Sequence, residues 1–98
     1  MLFALICTDK PGKSQLRADT RPDHLAHLQG LNEAKKLAFA GPFVDAEGKS
    51  NGSMVVVEAP DMTAAKALAD ADPYAKAGLF ANVEIRQWSW SINNPANG

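Results

Sequence analysis

The chain opens on a nearly continuous apolar run, Leu2 to Thr8 (LFALICT), the pattern of a strand covered on both faces. A polar stretch with a Pro11-Gly12 turn signal follows, Asp9 to Asp19, long for a connector and so a candidate functional loop. Thr20-Arg21-Pro22-Asp23 predicts a helix start, with Thr20 as N-cap, Pro22 in the first turn and Asp23 where the helix dipole favours an acid. The helix should run to about Lys36, weakened slightly by Gly30. On a helical projection Leu28, Leu31, Ala34 and Ala38 share one direction, with Leu25 at its edge, His24 in its middle and His27 on its shoulder. Leu37 to Val44 predicts a second strand, and Gly41-Pro42 places it at an edge or a bulge because proline removes a ladder donor. Asp45 to Gly52 reads as a hairpin loop, and Ser53 to Ala59 as a third strand rich in β-branched residues. Asp61 or Thr63 can cap a second helix to about Ala71, with Ala64, Ala67, Leu68 and Ala71 as its inner face. Asp72-Pro73 stops it, and Pro73 to Ala77 predicts a further short turn closed by Gly78. Val83 to Ser91 alternates, with Val83, Ile85 and Gln87 on one face and Arg86, Trp88 and Trp90 on the other. Asn93 to Gly98 reads as a flexible tail, which leaves a single domain over residues 1–92.

The order β-α-β-β-α-β predicts an α+β domain of the ferredoxin-like, split βαβ type: an antiparallel four-stranded sheet with two helices on one face. In the first strand both Leu2-Ala4-Ile6 and Phe3-Leu5-Cys7 are apolar, so both sheet faces need cover. A chain of 98 residues buries roughly 60–68% of its unfolded surface, enough for one core but not for two covered faces. The pattern therefore predicts a homodimer packed sheet against sheet, or a higher homo-oligomer.

Composition narrows the function. Ten Lys+Arg against eleven Asp+Glu give a net charge of −1, without the basic excess of a nucleic-acid binder, so no nucleic-acid partner is expected. One cysteine, Cys7, excludes an intrachain disulfide and a cysteine-rich zinc site. The apolar start is too short for a signal peptide, and no apolar run is long enough to span a bilayer. A cytoplasmic protein without a membrane partner is expected.

Two residues stand out chemically. His24, central in an apolar stripe, is either a desolvated acid–base group or a core histidine satisfied by a backbone carbonyl. Asp72 closes a helix where the macrodipole disfavours a carboxylate; it either orients another group or simply N-caps the Pro73 turn. Both helices of a split βαβ fold lie on the same sheet face, so the two side chains can meet as a dyad in which the carboxylate fixes the imidazole tautomer. Asp9, Arg17 and Arg21 flank the same region and are candidates for binding an anionic or phenolic substrate. His24 and His27 have a spacing that a metal could use with Asp72, but His24 and Asp72 have simpler roles and no metal site is expected.

The segments Arg21-Pro22-Asp23-His24-Leu25, Ala40-Gly41-Pro42-Phe43, Gly52-Ser53-Met54, Ala71-Asp72-Pro73-Tyr74, Ala77-Gly78-Leu79-Phe80 and Val83-Glu84-Ile85-Arg86, in this order, resemble the YciI (YCII-related) family over about residues 1–90. Gln87 departs from the family, which usually has proline after the arginine. The resemblance implies a dimeric α+β barrel assembly and a histidine–aspartate active site at His24 and Asp72. It also implies a lyase-type, cofactor-free dehydrochlorinase activity: elimination of HCl from a chlorinated hydroxyhydroquinone, giving a hydroxyquinone, in chloroaromatic degradation. On that reading Asp9 bonds a substrate hydroxyl, Arg17 and Arg21 bind its charge, and Phe43 or Trp88, with Phe3 or Trp90, supplies an aromatic wall. The alternatives are a lactone or enol–keto isomerase using the same dyad, and a non-catalytic small-ligand-binding module.

Overall fold

A computed structural model describes residues 1–96. Its elements are β1 (Leu2–Asp9), α1 (Ser14–Glu33), β2 (Leu37–Val44), β3 (Ser50–Glu58), α2 (Met62–Asp70), α3 (Pro73–Lys76) and β4 (Phe80–Trp88). The four strands form one antiparallel sheet in the order β2-β3-β1-β4. This is the expected ferredoxin-like α+β arrangement, with Pro42 on an edge strand where its missing donor costs least. Of the expected tail, residues 97 and 98 lie outside the described residues; Asn94 and Ala96 are tied by short-range hydrogen bonds to Trp90 and to each other.

The helix-side face of the sheet carries the core. Phe3, Leu5 and Cys7 of β1 pack with Val55 and Val57 of β3, and Leu28, Leu31, Val83 and Ile85 close around them. The face of α2 that meets this layer is Ala65 and Ala69, with Ala64 and Leu68 beside them, whereas Ala67 and Ala71 are exposed. The expected inner face is thus rotated toward the pair of small residues, one turn apart, that lets the helix approach the sheet most closely.

On the other face the edge strands send aromatic rings over the middle strands. Phe39 meets Trp88 at 5.7 Å and Trp90 at 4.9 Å, both edge to face. Val56, between Ala4 and Phe39 in the register, is only 1% exposed. The chain therefore covers part of this face itself, while Leu2, Ile6 and Met54 stay partly exposed.

The bounds of α1, β3 and β4 differ from expectation. Helix α1 begins at Ser14, not Thr20, and Pro22 lies inside it. Interior proline costs a helix about 3 kcal/mol in isolation; here the added turns carry Arg17 into a buried hydrogen-bonded site, and that tertiary gain overrides the local signal. The helix ends at Glu33 because Lys35 turns left-handed (φ 60°), so that the Lys36 and Lys35 amides donate to the Leu31 and Asn32 carbonyls. Strand β3 starts at Ser50, earlier than Ser53, after a tight turn in which Asp45 accepts from the Glu47 and Lys49 amides. It includes Gly52, where a Cβ would lie 2.5 Å from the Cys7 carbonyl oxygen, a contact only glycine avoids. Strand β4 runs from Phe80 to Trp88 rather than from Val83 to Ser91, because it pairs with β1 along its whole length and Trp90 has no partner there.

Candidate active site

Arg17 and His24 stand two turns apart on the same side of α1 and are its buried residues. Both face α3. There Asp72 N-caps the short helix, its Oδ1 accepting from the Tyr74 amide at 2.9 Å. The same Oδ1 lies 2.8 Å from His24 Nδ1, and Oδ2 lies 3.0 Å from it. The cap and the orienting carboxylate are therefore one group: the capped turn holds the aspartate still, and the held aspartate receives the histidine. A carboxylate accepts only, so Nδ1 carries the proton and the lone pair is left on Nε2. Nε2 has no hydrogen-bond partner among the described residues, yet no unpartnered side-chain atom is fully buried. It opens instead on a cleft of about 660 Å³ that His24 lines.

Tyr74 organises the site from beneath. Its ring, 1% exposed, stacks on the His24 imidazole at 4.0 Å and 17°. The Arg17 guanidinium lies 4.6 Å from the centre of the same ring. Burial raises the Tyr74 phenol above its ordinary value, opposed by Arg17 and Arg21. Arg17 clasps Asp9 through Nε at 2.7 Å and Nη2 at 3.1 Å, and Nη2 also donates to Ser53 Oγ at 2.8 Å. Burial works against its charge, but the hydrogen bond to Asp9 and the charge of that carboxylate prevail and hold Arg17 above its usual value. Cys7 takes no part: burial first, then the Asp72 and Asp9 carboxylates, push its thiol up to about 12, where it stays protonated and inert.

The cleft lies between α1 and the β2–β3 edge. Its apolar surface comes from Leu25, Leu28, Ala40, Pro42 and Val55, and its polar groups include Arg17, Arg21, Ser53, Tyr74 and Lys49. No aspartate or glutamate lines it. Of the residues expected to bind substrate, Arg17 and Arg21 are therefore in place. Asp9 is not, because Arg17 occupies both its oxygens behind the cleft wall. Trp88 is on the opposite sheet face, paired with Leu2, since side chains alternate and it is the neighbouring Gln87 that pairs with core-facing Phe3. Phe43 pairs with Gly52 on that same outer side and does not line the cleft. Phe3 is buried in the core, and Trp90 meets Phe39 edge to face on the outer face. The aromatic side chain that lines the cleft beside His24 is Tyr74, which sequence reasoning missed although it adjoins Asp72. Ser53 was legible as a polar residue on the inner face of a strand otherwise lined by Val55 and Val57. Among the described residues no three His, Cys, Asp or Glu side chains gather in a metal-binding group.

A split βαβ domain with a buried histidine–aspartate pair opening on a cation-lined cleft is the class of protein defined by this fold and geometry. Within it, the chain belongs to the YCII-related domain family, whose profile matches residues 1–89. It is 38% identical over 92 residues to protein YciI of Escherichia coli O6:H1, covering 88% of this chain and 94% of that one. An uncharacterised protein of Haemophilus influenzae is 34% identical over the same coverage. Among solved structures, the 5-chloro-2-hydroxyhydroquinone dehydrochlorinase (TftG) of Burkholderia phenoliruptrix, in complex with 2,5-dihydroxybenzoquinone, superposes with a TM-score of 0.85 and 32% identity, over 96% of this chain and 99% of that one. A NIPSNAP domain protein of Burkholderia xenovorans, at 17% identity and a TM-score of 0.52, shares the fold alone.

Proposed function

We propose that the protein is a proton-transfer enzyme that eliminates HCl from a chlorinated hydroxyhydroquinone. One observation carries this reading: His24 is held by Asp72 at 2.8 Å through Nδ1, and its free Nε2 faces a cleft large enough for a substituted ring. The relation to TftG, a 5-chloro-2-hydroxyhydroquinone dehydrochlorinase whose structure holds a dihydroxybenzoquinone, supports it. In the first step Nε2 takes the proton of the phenol next to the chlorinated carbon, and the imidazolium so formed delivers it to that carbon, giving a ketone and restoring neutral His24. In the second step the hydroxyl para to that ketone loses its proton, its oxygen electrons move through the ring, and the C–Cl bond breaks with release of chloride. The product is a hydroxyquinone, and the ring's two-electron oxidation is matched by replacement of carbon–chlorine with carbon–hydrogen. Asp72 stabilises the imidazolium formed while the proton is in transit, and Tyr74 lies against it. The half-covered outer face of the sheet, with Leu2, Ile6 and Met54 partly exposed, supports a homodimer.

The test is chloride release from 5-chloro-2-hydroxyhydroquinone by purified protein without added cofactor. Wild type releases chloride with formation of hydroxyquinone, and His24→Ala loses about 10²–10⁴-fold in rate while staying folded. Chemical change of an enol or lactone without chloride would assign the dyad to isomerisation instead. Binding without any product would make the cleft a ligand-binding site.

A further inference from the structure

The charges around the cleft run against those of the whole chain. The chain carries a net charge of −1, yet the cleft gathers Arg17, Arg21 and Lys49 and no carboxylate. These three cations are not equivalent. Arg17 is neutralised by Asp9 at 2.7 Å. Arg21 on α1 and Lys49 at the end of the β2–β3 turn make no ion pair among the described residues and approach the cleft from its two opposite walls. Lys49 is held there by its backbone, which exchanges hydrogen bonds with Asp45 across the turn. Between the two walls the surface is apolar, from Leu25, Leu28, Ala40, Pro42 and Val55. An apolar surface with an unneutralised cation on each side fits a small ring that bears negative charge.

We infer that Lys49, acting with Arg21 across the cleft, is a specificity-determining residue that selects ionised rings over neutral ones. The inference rests on the reading of this cleft as the ligand site and names the ligand class more narrowly: a planar six-membered ring carrying a phenolate, a hydroxyquinone anion or a ring carboxylate. A hydroxyquinone is a vinylogous acid and is ionised at neutral pH, and removal of a phenolic proton likewise leaves negative charge on ring oxygen. The two cations therefore favour both the deprotonated intermediate and the ionised product over the neutral triol, and part of the selection falls on the reaction step rather than on substrate capture.

Calorimetric titration of the wild-type protein with 2,5-dihydroxybenzoquinone, with benzoate and with uncharged hydroquinone as probes tests this without catalysis. The ionised quinone binds tighter than hydroquinone, and its affinity falls as ionic strength rises from about 0.01 M to about 1 M, where the screening length shrinks from about 30 Å to about 3 Å. Benzoate binding distinguishes a general site for ring anions from one that needs ring oxygens. Lys49→Gln weakens quinone binding about two- to fivefold, as expected of an exposed charge, and Lys49→Glu weakens it further. Lys66→Gln, on the far ion pair with Asp70, leaves it unchanged. Equal affinity of Lys49→Gln and wild type for the quinone, or no dependence on ionic strength, overturns the inference even if chloride is released. Lys49-dependent binding of the anion without any chloride release sustains the inference and overturns the dehydrochlorinase reading.

Discussion

Asp72 performs two tasks through one oxygen, and two substitutions separate them. In Asp72→Asn the side-chain oxygen still accepts from the Tyr74 amide, because asparagine caps a helix about as well as aspartate. The charge facing His24 is lost, and the amide group can donate to Nδ1, moving the imidazole proton to Nε2 and blocking the base. At 2.8 Å and an effective dielectric of about 20, the carboxylate attracts an imidazolium by about 6 kcal/mol before desolvation is counted. If desolvation of this buried pair cancels about a third to a half of that, roughly 3–4 kcal/mol remains to stabilise the protonated intermediate. At 1.4 kcal/mol per tenfold, turnover falls about 10²–10³-fold. Asp72→Ala removes the cap as well and leaves the buried Nδ1–H without an acceptor, a cost of about 2–4 kcal/mol in stability. For a domain of this size that lowers Tm by roughly 8–30 °C. The assays are urea denaturation for both variants and chloride release at saturating substrate. The expected pattern is Asp72→Asn stable but slow, Asp72→Ala unstable. If Asp72→Asn turns over at the wild-type rate while Asp72→Ala is unstable, the aspartate is only a cap and the dyad does not exist.

Other outcomes follow from the same structure. Arg17→Met leaves the Asp9 carboxylate buried without its partner and costs about 3–5 kcal/mol, whereas adding Asp9→Leu recovers part of the loss; denaturation of the two singles and the double tests this, and additive effects would show that the pair is not coupled. Lys35→Gly relieves a left-handed backbone and raises stability by about 0.5–1 kcal/mol, and a lower Tm would mean that the helix end does not use that conformation. The Cys7 thiol is held protonated in the folded state, so above its ordinary value the unfolded chain has given up a proton that the folded chain keeps. Stability therefore declines as pH rises from about 9 towards about 12, and Cys7→Ala flattens the decline in urea titrations across that window.

Element order was legible because periodicities of two and of three to four residues survive without tertiary contacts. The nearly continuous apolar run of β1 and the β-branched run of β3 forced a sheet, and Asp61 and Asp72 announced their helices as caps. The proline at Pro22 misplaced the start of α1, since local preference is worth about 3 kcal/mol and Arg17 is anchored by contacts far along the chain. His24 and Asp72 were each ambiguous alone, and only the fold's placement of both helices on one sheet face made a pair of them.

What the sequence determined by itself is the sheet with its helices and the two residues able to form a dyad, for these follow from hydrophobic pattern and side-chain chemistry. Tertiary structure decided which oxygen of Asp72 serves both cap and histidine, that Arg17 spends its charge on Asp9, that Trp88 is on the sheet face away from the cleft, and that Tyr74 and Lys49 meet the cleft. Distance, register and the competition of several partners for one charge are properties of packed surfaces, and a linear pattern does not specify them.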